Sequence, residues 1–173
     1  MGHNKIFRCK IKDESMPNRP SWDNYFVKLA WLVAERSTCV RHHVGAVIVK
    51  DKRILTTGYN GAATSTKDCL ERGCLRNELK IPSGQRHEIC RAIHAEQNAI
   101  IQGGYNGINI KDAALYCTHS PCVLCAKMIV NAGIKRVVAD FEYPDNTFKD
   151  LFLEANIKFF TLHLENLIIA QVK

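Results

Sequence analysis

Two short stretches combine residue types that bind a metal ion and move protons. The first is His94-Ala95-Glu96, and the second is Pro121-Cys122-Val123-Leu124-Cys125, which begins 25 residues after Glu96. Zinc binds imidazole nitrogen and thiolate sulfur, and a catalytic zinc ion keeps one of its four positions open for water. The side chains of His94, Cys122 and Cys125 therefore predict a catalytic zinc site with three protein ligands.

The spacing of these residues predicts that two helix starts form the site. Cys122 and Cys125 are three residues apart, so they share one face of a helix. Pro121 suits the first helical position, and the positive end of the helix dipole favours thiolates in the first turn. Glu96, two residues from His94 near a second helix start, would take a proton from water whose pKa the metal lowers.

Each stretch alone has simpler explanations. A lone Cys-x-x-Cys is often a structural zinc knuckle or a redox pair. A lone histidine near a helix start is more often a cap or a core residue than a ligand. The two stretches in this order, with Pro121 before the first cysteine, are typical of zinc-dependent nucleobase deaminases. We therefore favour a catalytic zinc site over a structural one.

The composition fits one globular domain in a reducing compartment. The chain has 173 residues, 46% of them hydrophobic, and no apolar run of membrane-spanning length. The charged N-terminus lacks the apolar centre of a secretory signal, so we expect a cytoplasmic protein, in which eight cysteines favour metal binding over disulfides. The net charge of +7 is dispersed, which suits a phosphorylated substrate but does not indicate nucleic-acid binding.

Hydrophobic periodicity predicts an α/β domain. A helix should begin after the N-cap Ser21 and end near Ser37, and a hairpin should follow. The buried stripe of this helix should comprise Trp22, Phe26, Leu29, Ala30 and Val33. The expected later elements are strands Val44–Val49, Ile54–Tyr59, Ala113–Thr118, Ile134–Ala139 and Ile157–Leu162, and helices 92–102, Pro121–Ala132 and Asp145–Asn156. The alternation after residue 91 implies parallel pairing, and the expected fold is a three-layer α/β/α sandwich around a mixed five-stranded sheet.

The chain divides into a polar leader at 1–20, a deaminase-like domain at 21–162 and a C-terminal tail at 163–173. Residues 62–91 form a charged, cysteine-rich insertion without helical or strand periodicity. An irregular segment of this length inside a compact domain needs an additional constraint, which a bound metal would supply. The apolar residues 167–169 suggest that the tail docks on the domain or on a partner.

The chain resembles the cytidine deaminase superfamily and, within it, the deoxycytidylate (dCMP) deaminases, which include a bacterial late-competence protein. The His-Ala-Glu and Pro-Cys-x-x-Cys segments are common to the superfamily. The Gly58–Gly61 segment and the long insertion indicate the deoxycytidylate branch. The segments that carry the resemblance, between Ser21 and Leu162, are Ser21-Trp22, Tyr25-Phe26, Val44–Val47, Gly58–Gly61, Ile93–Ile100 and Ser120–Cys125.

This resemblance implies zinc-dependent hydrolysis of dCMP to dUMP. His94, Cys122 and Cys125 would bind the catalytic zinc, and Glu96 would shuttle protons to the base and the leaving ammonia. The residues expected at the substrate are Asn60, Ala95, Ser120, Tyr143 and, as a phosphate contact near the end of the first helix, Arg36. Because relatives form hexamers that dCTP activates and dTTP inhibits, a homo-oligomer with these effectors is implied as well.

Some members of this branch bind a second, structural zinc ion. The expected ligands here are Cys39, Cys69, Cys74 and Cys90, with His87 in reserve. Four such ligands would form a closed tetrahedral site. The alternative is that one or two of these cysteines are ordinary buried residues.

Two other functions remain open at this stage. A tRNA adenosine deaminase uses the same zinc site, but those relatives have a shorter connection than the 33 residues between Asn60 and His94. A non-catalytic, zinc-stabilised binding protein related to competence would need no carboxyl group beside His94. Glu96 therefore favours catalysis.

Overall fold

The computed structural model describes residues 20–143 and 146–164 of the chain. A long first helix precedes a hairpin, and helices alternate with strands after the insertion. The helices are α1 (Trp22–Ala34), α2 (Cys69–Arg72), α3 (Leu75–Glu78), α4 (Ala95–Tyr105), α5 (Val123–Asn131) and α6 (Phe148–Glu154). The strands are β1 (Gly45–Lys50), β2 (Arg53–Tyr59), β3 (Gly61–Ala62), β4 (Ala92–Ile93), β5 (Ala114–His119), β6 (Arg136–Phe141) and β7 (Lys158–Thr161).

The main sheet has five strands in the order β2-β1-β5-β6-β7. β1 pairs antiparallel with both β2 and β5, whereas β6 pairs parallel with both β5 and β7. The hairpin of β1 and β2 turns at Asp51 and Lys52, which both have positive φ, as the central residues of a type I′ turn do. The predicted mixed five-stranded sheet is confirmed.

Helices cover both faces of this sheet. On one face, α1 and the sheet share a buried cluster that includes Phe26, Val27, Ala30, Val47 and Val138. On the other face, α4, α5 and α6 share a second cluster with the sheet, which includes Ala99, Ile129, Phe148, Phe152, Ile48, Leu115 and Val137. The predicted three-layer α/β/α sandwich is therefore confirmed.

Two glycines let helices approach the hairpin more closely than any side chain would allow. A Cβ atom at Gly45 would lie 2.0 Å from the Ala30 carbonyl oxygen of α1. A Cβ atom at Gly58 would lie 2.3 Å from the Ala95 carbonyl oxygen and 2.4 Å from the Ala99 nitrogen of α4. Because real Cβ atoms do not approach so closely, Gly58 sets the depth at which the first turn of α4 packs.

The insertion contains more regular structure than its sequence predicts. Besides α2 and α3, it contains a 3-10 turn at His87–Ile89. β3 and β4 pair antiparallel and join the two ends of the insertion as a small ribbon. The Asp68 side chain accepts hydrogen bonds from the Leu70 and Glu71 amides, which caps α2. Elements of one turn or two residues are too short for hydrophobic periodicity to reveal them.

The starts of the two site helices differ from the predictions. α4 begins at Ala95 instead of residue 92, because Ala92 and Ile93 form β4 and pair with β3. α5 begins at Val123 with Cys122 as its N-cap, so the predicted first helical position of Pro121 is wrong. In both helices a metal-site residue, His94 or Cys122, is therefore the N-cap itself.

The first helix is also shorter than predicted and buries fewer residues. α1 ends at Ala34 instead of near Ser37, and Ser21 caps it through a bond from the Asn24 amide. Trp22 is 43% exposed, so its predicted place in the buried stripe is wrong. Its ring stacks on that of Phe26 with centroids 5.6 Å apart, which leaves much of the indole outside the core.

The ends of the chain lie largely outside the described residues. The predicted leader at 1–20 is described only at Pro20, and residues 165–173 of the predicted tail are not described. The Leu164 amide donates to the Asp140 carboxylate at 2.7 Å, which ties the chain after β7 to the end of β6. Within 20–143 and 146–164, no helix has the length and apolar character needed to cross a membrane.

Gly58→Ala should displace α4, because the added methyl group would overlap the backbone at Ala95 and Ala99. We expect a lower Tm, with a loss of about 2 kcal/mol or more from overpacking. Gly104→Ala is the matched control, since nothing lies within 4 Å of a Cβ atom there, and alanine should stabilise α4 by up to about 1 kcal/mol. Thermal unfolding measures both variants, and equal Tm values would contradict the role of Gly58.

Candidate active site

The structure brings His94, Cys122 and Cys125 together. The Nδ1 atom of His94 lies 3.5 Å from the Cys122 sulfur and 3.3 Å from the Cys125 sulfur, and the two sulfurs are 3.7 Å apart. Among the described residues, this is the one group of three or more His, Cys, Asp or Glu ligand atoms within 4.8 Å of one another.

These separations fit a tetrahedral zinc ion. With Zn–S bonds of about 2.3 Å and a Zn–N bond of about 2.05 Å, tetrahedral angles place sulfurs about 3.8 Å apart and nitrogen about 3.6 Å from sulfur. The observed separations of 3.3–3.7 Å agree with these values to a few tenths of an ångström. Three protein ligands leave one position open, which is typical of a catalytic zinc site.

Two helix N-termini position the ligands. His94 is the N-cap of α4, Cys122 is the N-cap of α5, and Cys125 is the third residue of α5. The Gln97 side chain accepts a hydrogen bond from the His94 amide at 3.1 Å, which fixes the start of α4. The positive ends of both helix dipoles therefore lie at the site, where they favour thiolates.

Contacts between the two cysteines determine their protonation. The interaction with the Cys125 sulfur, assisted by His94, lowers the pKa of the Cys122 thiol to about 3 in spite of burial. The same interaction, together with burial, raises the pKa of the Cys125 thiol. A cation between the sulfurs would replace the shared proton and stabilise both thiolates.

Glu96 is the buried carboxyl group of the site. Glu96 is the second residue of α4 and is only 4% exposed. Burial raises the pKa of Glu96, although the nearby charge of His94 opposes this shift. A carboxyl group whose pKa is raised holds a proton more readily, as a group that accepts a proton and later returns it must.

One cavity contains most of the residues predicted to face a substrate. These residues, which line it together with the metal site, are Asn60, Ala95, Ser120 and Tyr143. Arg36 is exposed and does not line this cavity. Its predicted role as a phosphate contact therefore has no support in the structure.

Hydrogen bonds hold Asn60 in one orientation. Its Oδ1 atom accepts from the Ser37 hydroxyl at 2.6 Å and from the Val44 amide at 2.9 Å. Its Nδ2 atom donates to the His42 carbonyl oxygen at 2.8 Å. Because the amide group has two N–H donors, one donor remains for a ligand in the cavity.

Residues 81–84 of the insertion, which we call the strap, bond to residues of the cavity wall. The Ser83 hydroxyl lies 3.0 Å from the Nε2 atom of His42 and 2.9 Å from the Tyr143 hydroxyl. The Tyr143 amide in turn donates to the Ser120 hydroxyl oxygen at 2.7 Å. The strap thus connects the chain before β1 with the chain after β6, next to the catalytic residues.

The four cysteines predicted to bind a second zinc line the same cavity as free thiols. Burial raises the pKa of the Cys69 thiol, and the other three thiols raise it further. The four side chains therefore face a common space. His87 is edge-on to His94, with ring centroids 5.0 Å apart, and its buried Nδ1 atom has no hydrogen-bond partner. Within the described part of the chain, these residues do not form a second group with all ligand atoms within 4.8 Å. The four are Cys39, Cys69, Cys74 and Cys90.

Two cationic side chains of the cavity carry no motif that would mark them in the sequence. These are Arg41 and Arg76, which line the cavity together with His42. Arg41 and His42 come from the loop before β1, and Arg76 comes from α3. The dispersed positive charge of the chain was the only sequence signal that could have indicated them.

Cys122→Ser should remove the metal ion from this site, because a hydroxyl group is a much poorer zinc ligand than a thiolate. We expect one zinc equivalent fewer per chain than in the wild type, measured by elemental analysis of the purified protein. Cys117→Ala is the matched control, since this buried cysteine of β5 is not in the ligand group. Equal zinc content in the two variants would contradict the assignment.

Comparisons with known proteins agree with this arrangement. The zinc-binding region of cytidine and deoxycytidylate deaminases matches residues 20–140. The chain is 38% identical over 141 residues to deoxycytidylate deaminase of Schizosaccharomyces pombe, which covers 80% of this chain and 44% of that protein. It is 38% identical over 152 residues to ComE operon protein 2 of Bacillus subtilis, which covers 87% of this chain and 76% of that protein.

A solved structure with 31% identity extends the similarity to the fold. This is dCMP deaminase from the cyanophage S-TIM5 in complex with dCMP and dUMP, with a TM-score of 0.68 over 83% of this chain and 98% of that chain. The chain spans about half the length of the yeast deoxycytidylate deaminases that it matches. The match of residues 20–140 to the zinc-binding region and the 38% identity to ComE operon protein 2 establish that the chain belongs to the cytidine and deoxycytidylate deaminase family.

Proposed function

We propose that this chain catalyses the zinc-dependent hydrolytic deamination of dCMP to dUMP. The observation that carries this proposal is a three-ligand metal site that shares its cavity with the buried carboxyl group of Glu96. A structural zinc site needs no such group, whereas hydrolysis at a base needs a residue that moves protons. Relatives named deoxycytidylate deaminase, and the S-TIM5 enzyme with dCMP and dUMP bound, support dCMP as the substrate.

The reaction adds water to C4 of cytosine and releases ammonia as the C4 carbonyl group forms. His94, Cys122 and Cys125 would hold zinc, which when bound supplies an activated water molecule. Glu96 would accept a proton from the attacking water and deliver it to the adjacent ring nitrogen. It would then assist the departure of ammonia, and its burial keeps bulk water from exchanging that proton.

The remaining polar groups of the cavity would orient the nucleotide. Asn60 has one N–H donor that is not used within the protein, and it suits an oxygen of the sugar. Ser120 and the backbone of Ala95 lie beside the metal ligands, where they would contact the base. Tyr143, bonded to the strap through Ser83, would form the opposite wall.

The two other functions suggested by the sequence have less support. A tRNA anticodon needs an open approach to the metal, whereas here the insertion and its strap bond to the cavity wall. A non-catalytic binding protein leaves the burial of Glu96 unexplained, because burying an unneeded carboxyl group is unfavourable.

We also propose that the insertion binds a second, structural zinc ion. The four candidate ligands are Cys39 and the three cysteines of the insertion; all four are free and line one cavity, and three of them are buried. Burial and the neighbouring thiols raise the pKa of Cys69, and a bound cation would offset both effects. It would draw the four sulfurs together and supply the constraint that an insertion of short elements needs.

Oligomer formation and regulation are further parts of the proposal. A second groove of about 500 Å³ lies between the Gly58–Gly61 segment and α4, and amide and hydroxyl side chains line it. These side chains would hydrogen-bond the base and sugar of the nucleotide effectors dCTP and dTTP, and cations for the triphosphate would have to come from outside the lining of the groove. Exposed Tyr59, Ile101 and Tyr105 near it would be covered in a homo-oligomer such as a hexamer. A reducing cytoplasm would keep the free thiols available for zinc.

Incubation with dCMP, CMP, deoxycytidine and a tRNA anticodon stem, each with and without dCTP and dTTP, tests the main proposal. We expect ammonia release from dCMP. Glu96→Gln should keep zinc and fold but lower kcat by about 1,000-fold, because an amide cannot accept the proton. Glu154→Gln, a change at an exposed site on α6, is the matched control and should have wild-type activity.

Two results would contradict the main proposal. Ammonia release from the tRNA stem alone would assign a different substrate class. Undiminished dCMP turnover by the Glu96→Gln variant would remove the residue assigned to proton transfer.

Metal analysis tests the second zinc site separately. We expect two zinc ions per wild-type chain, and one per chain after Cys74→Ser, because a closed site loses much of its affinity with one thiolate. Cys117→Ala, which changes a thiol outside both ligand sets, should keep two. A single zinc ion in the wild-type chain would reject this second site.

A further inference from the structure

Arg76 is a buried cation that lacks a full set of partners. The residue is only 6% exposed and lines the cavity of the candidate active site. One guanidinium nitrogen donates to the Pro82 carbonyl oxygen of the strap at 3.2 Å. Its Nε atom is buried and has no hydrogen-bond partner. A buried guanidinium group with an unused N–H donor is unfavourable unless an anion completes its surroundings.

No carboxylate forms an ion pair with Arg76 among the described residues. Glu96 is the one carboxyl group among the described residues that line the cavity, and it lies at the metal site. Burial, with a smaller contribution from the charge of Arg76, lowers the pKa values of His42 and His87.

The strap holds this side chain only weakly. Arg76 donates to a neutral carbonyl oxygen at 3.2 Å, whereas a guanidinium group and a charged oxygen approach to about 2.7–2.9 Å. Arg41 makes a shorter bond of 2.9 Å to the neighbouring Ile81 carbonyl oxygen. An anion that entered the cavity would thus compete with a neutral carbonyl oxygen for the guanidinium group of Arg76.

We propose that Arg76 binds the 5′-phosphate of the nucleotide and thereby makes deamination depend on that phosphate. This inference rests on the proposed dCMP deamination and names the residue that would separate nucleotide from nucleoside. The planar guanidinium group can offer a phosphate two parallel N–H donors at once, which is the geometry that phosphate oxygens favour. The side chain would have to turn for Nε to be one of the two, because Nε is buried here. The base end of the substrate would then lie at Glu96 and the phosphate end at the strap.

Arg76 also lies in α3, directly after the cysteine-rich part of the insertion, which gives a competing structural explanation. In that case its charge would offset the thiolates of the second zinc site, and the substrate phosphate would not contact it. The two explanations differ in a measurable way. A phosphate contact affects dCMP but not deoxycytidine, whereas a structural role affects both substrates and the zinc content.

The test compares kcat/KM for dCMP and for deoxycytidine in wild type, Arg76→Gln and Arg76→Lys. We expect Arg76→Gln to lower the value for dCMP about 100-fold, because charge-assisted hydrogen bonds are lost, and to leave that for deoxycytidine within about threefold. Arg76→Lys, which keeps the charge without the planar fork, should restore part of the loss. Arg72→Gln, at an exposed arginine of the same insertion, is the matched control and should retain the wild-type ratio.

A binding measurement that needs no turnover accompanies these rates. Titration calorimetry should find that wild type binds dUMP much more tightly than deoxyuridine and that Arg76→Gln abolishes most of this difference. Zinc content and Tm of each variant are measured on the same samples. Equal losses for dCMP and deoxycytidine, or zinc loss in both Arg76 variants, would overturn the proposal in favour of the structural role.

The outcomes separate this inference from the proposed function. Wild-type protein that deaminates neither dCMP nor deoxycytidine contradicts the function itself. Wild type that prefers dCMP while Arg76→Gln retains that preference contradicts only the role of Arg76. Loss of the preference in Arg41→Gln instead would assign the phosphate to the other arginine of the cavity wall and would overturn the inference.

Discussion

The meeting of the α4 and α5 N-termini is the contact on which the rest of the site depends. It places one imidazole nitrogen and two sulfurs 3.3–3.7 Å apart, which are separations that a bound zinc ion favours. The sheet makes the meeting possible. β5 leads directly into the N-cap of α5, and the absence of a side chain at Gly58 allows α4 to pack against β2.

Charged groups of both signs line the cavity. Cys122 and Glu96 belong to the two helix N-termini, which, with a cation when one is bound, favour negative groups. Arg41 and Arg76 both donate to carbonyl oxygens of the strap. A nucleotide with a neutral base and an anionic phosphate matches these charges, with the base toward the carboxyl group and the phosphate toward the arginines. This match connects the proposed chemistry with the proposed substrate.

The insertion contributes to the site as well as to its surroundings. It supplies Arg76, three of the four cysteines of the proposed second zinc site, and the strap that bonds to His42 and Tyr143. Its own elements are too short to be stable alone, since isolated single turns of helix do not form in water. The insertion therefore depends on the body of the domain, and the cavity in turn depends on the insertion.

The sequence by itself determined the fold class and predicted the three candidate metal ligands with the carboxyl group beside them. Spacing indicated that the two cysteines share a helix face and that the later strands pair in parallel, whereas the joining of the two stretches into one site rested on the pattern typical of zinc-dependent deaminases. The sequence could not reveal the ribbon of β3 and β4 or the observed helix starts at Ala95 and Val123, since pairing with a distant strand or a cap overrides a local pattern.

Only the tertiary structure decided which cations line the cavity. Arg36, the arginine predicted to contact phosphate, is exposed and does not line the cavity. Arg76 does line the cavity, although no sequence motif marks it. The physical reason is that a motif fixes neighbours along one helix, whereas the residues that face each other across a cavity depend on how the whole sheet, the insertion and its strap pack together.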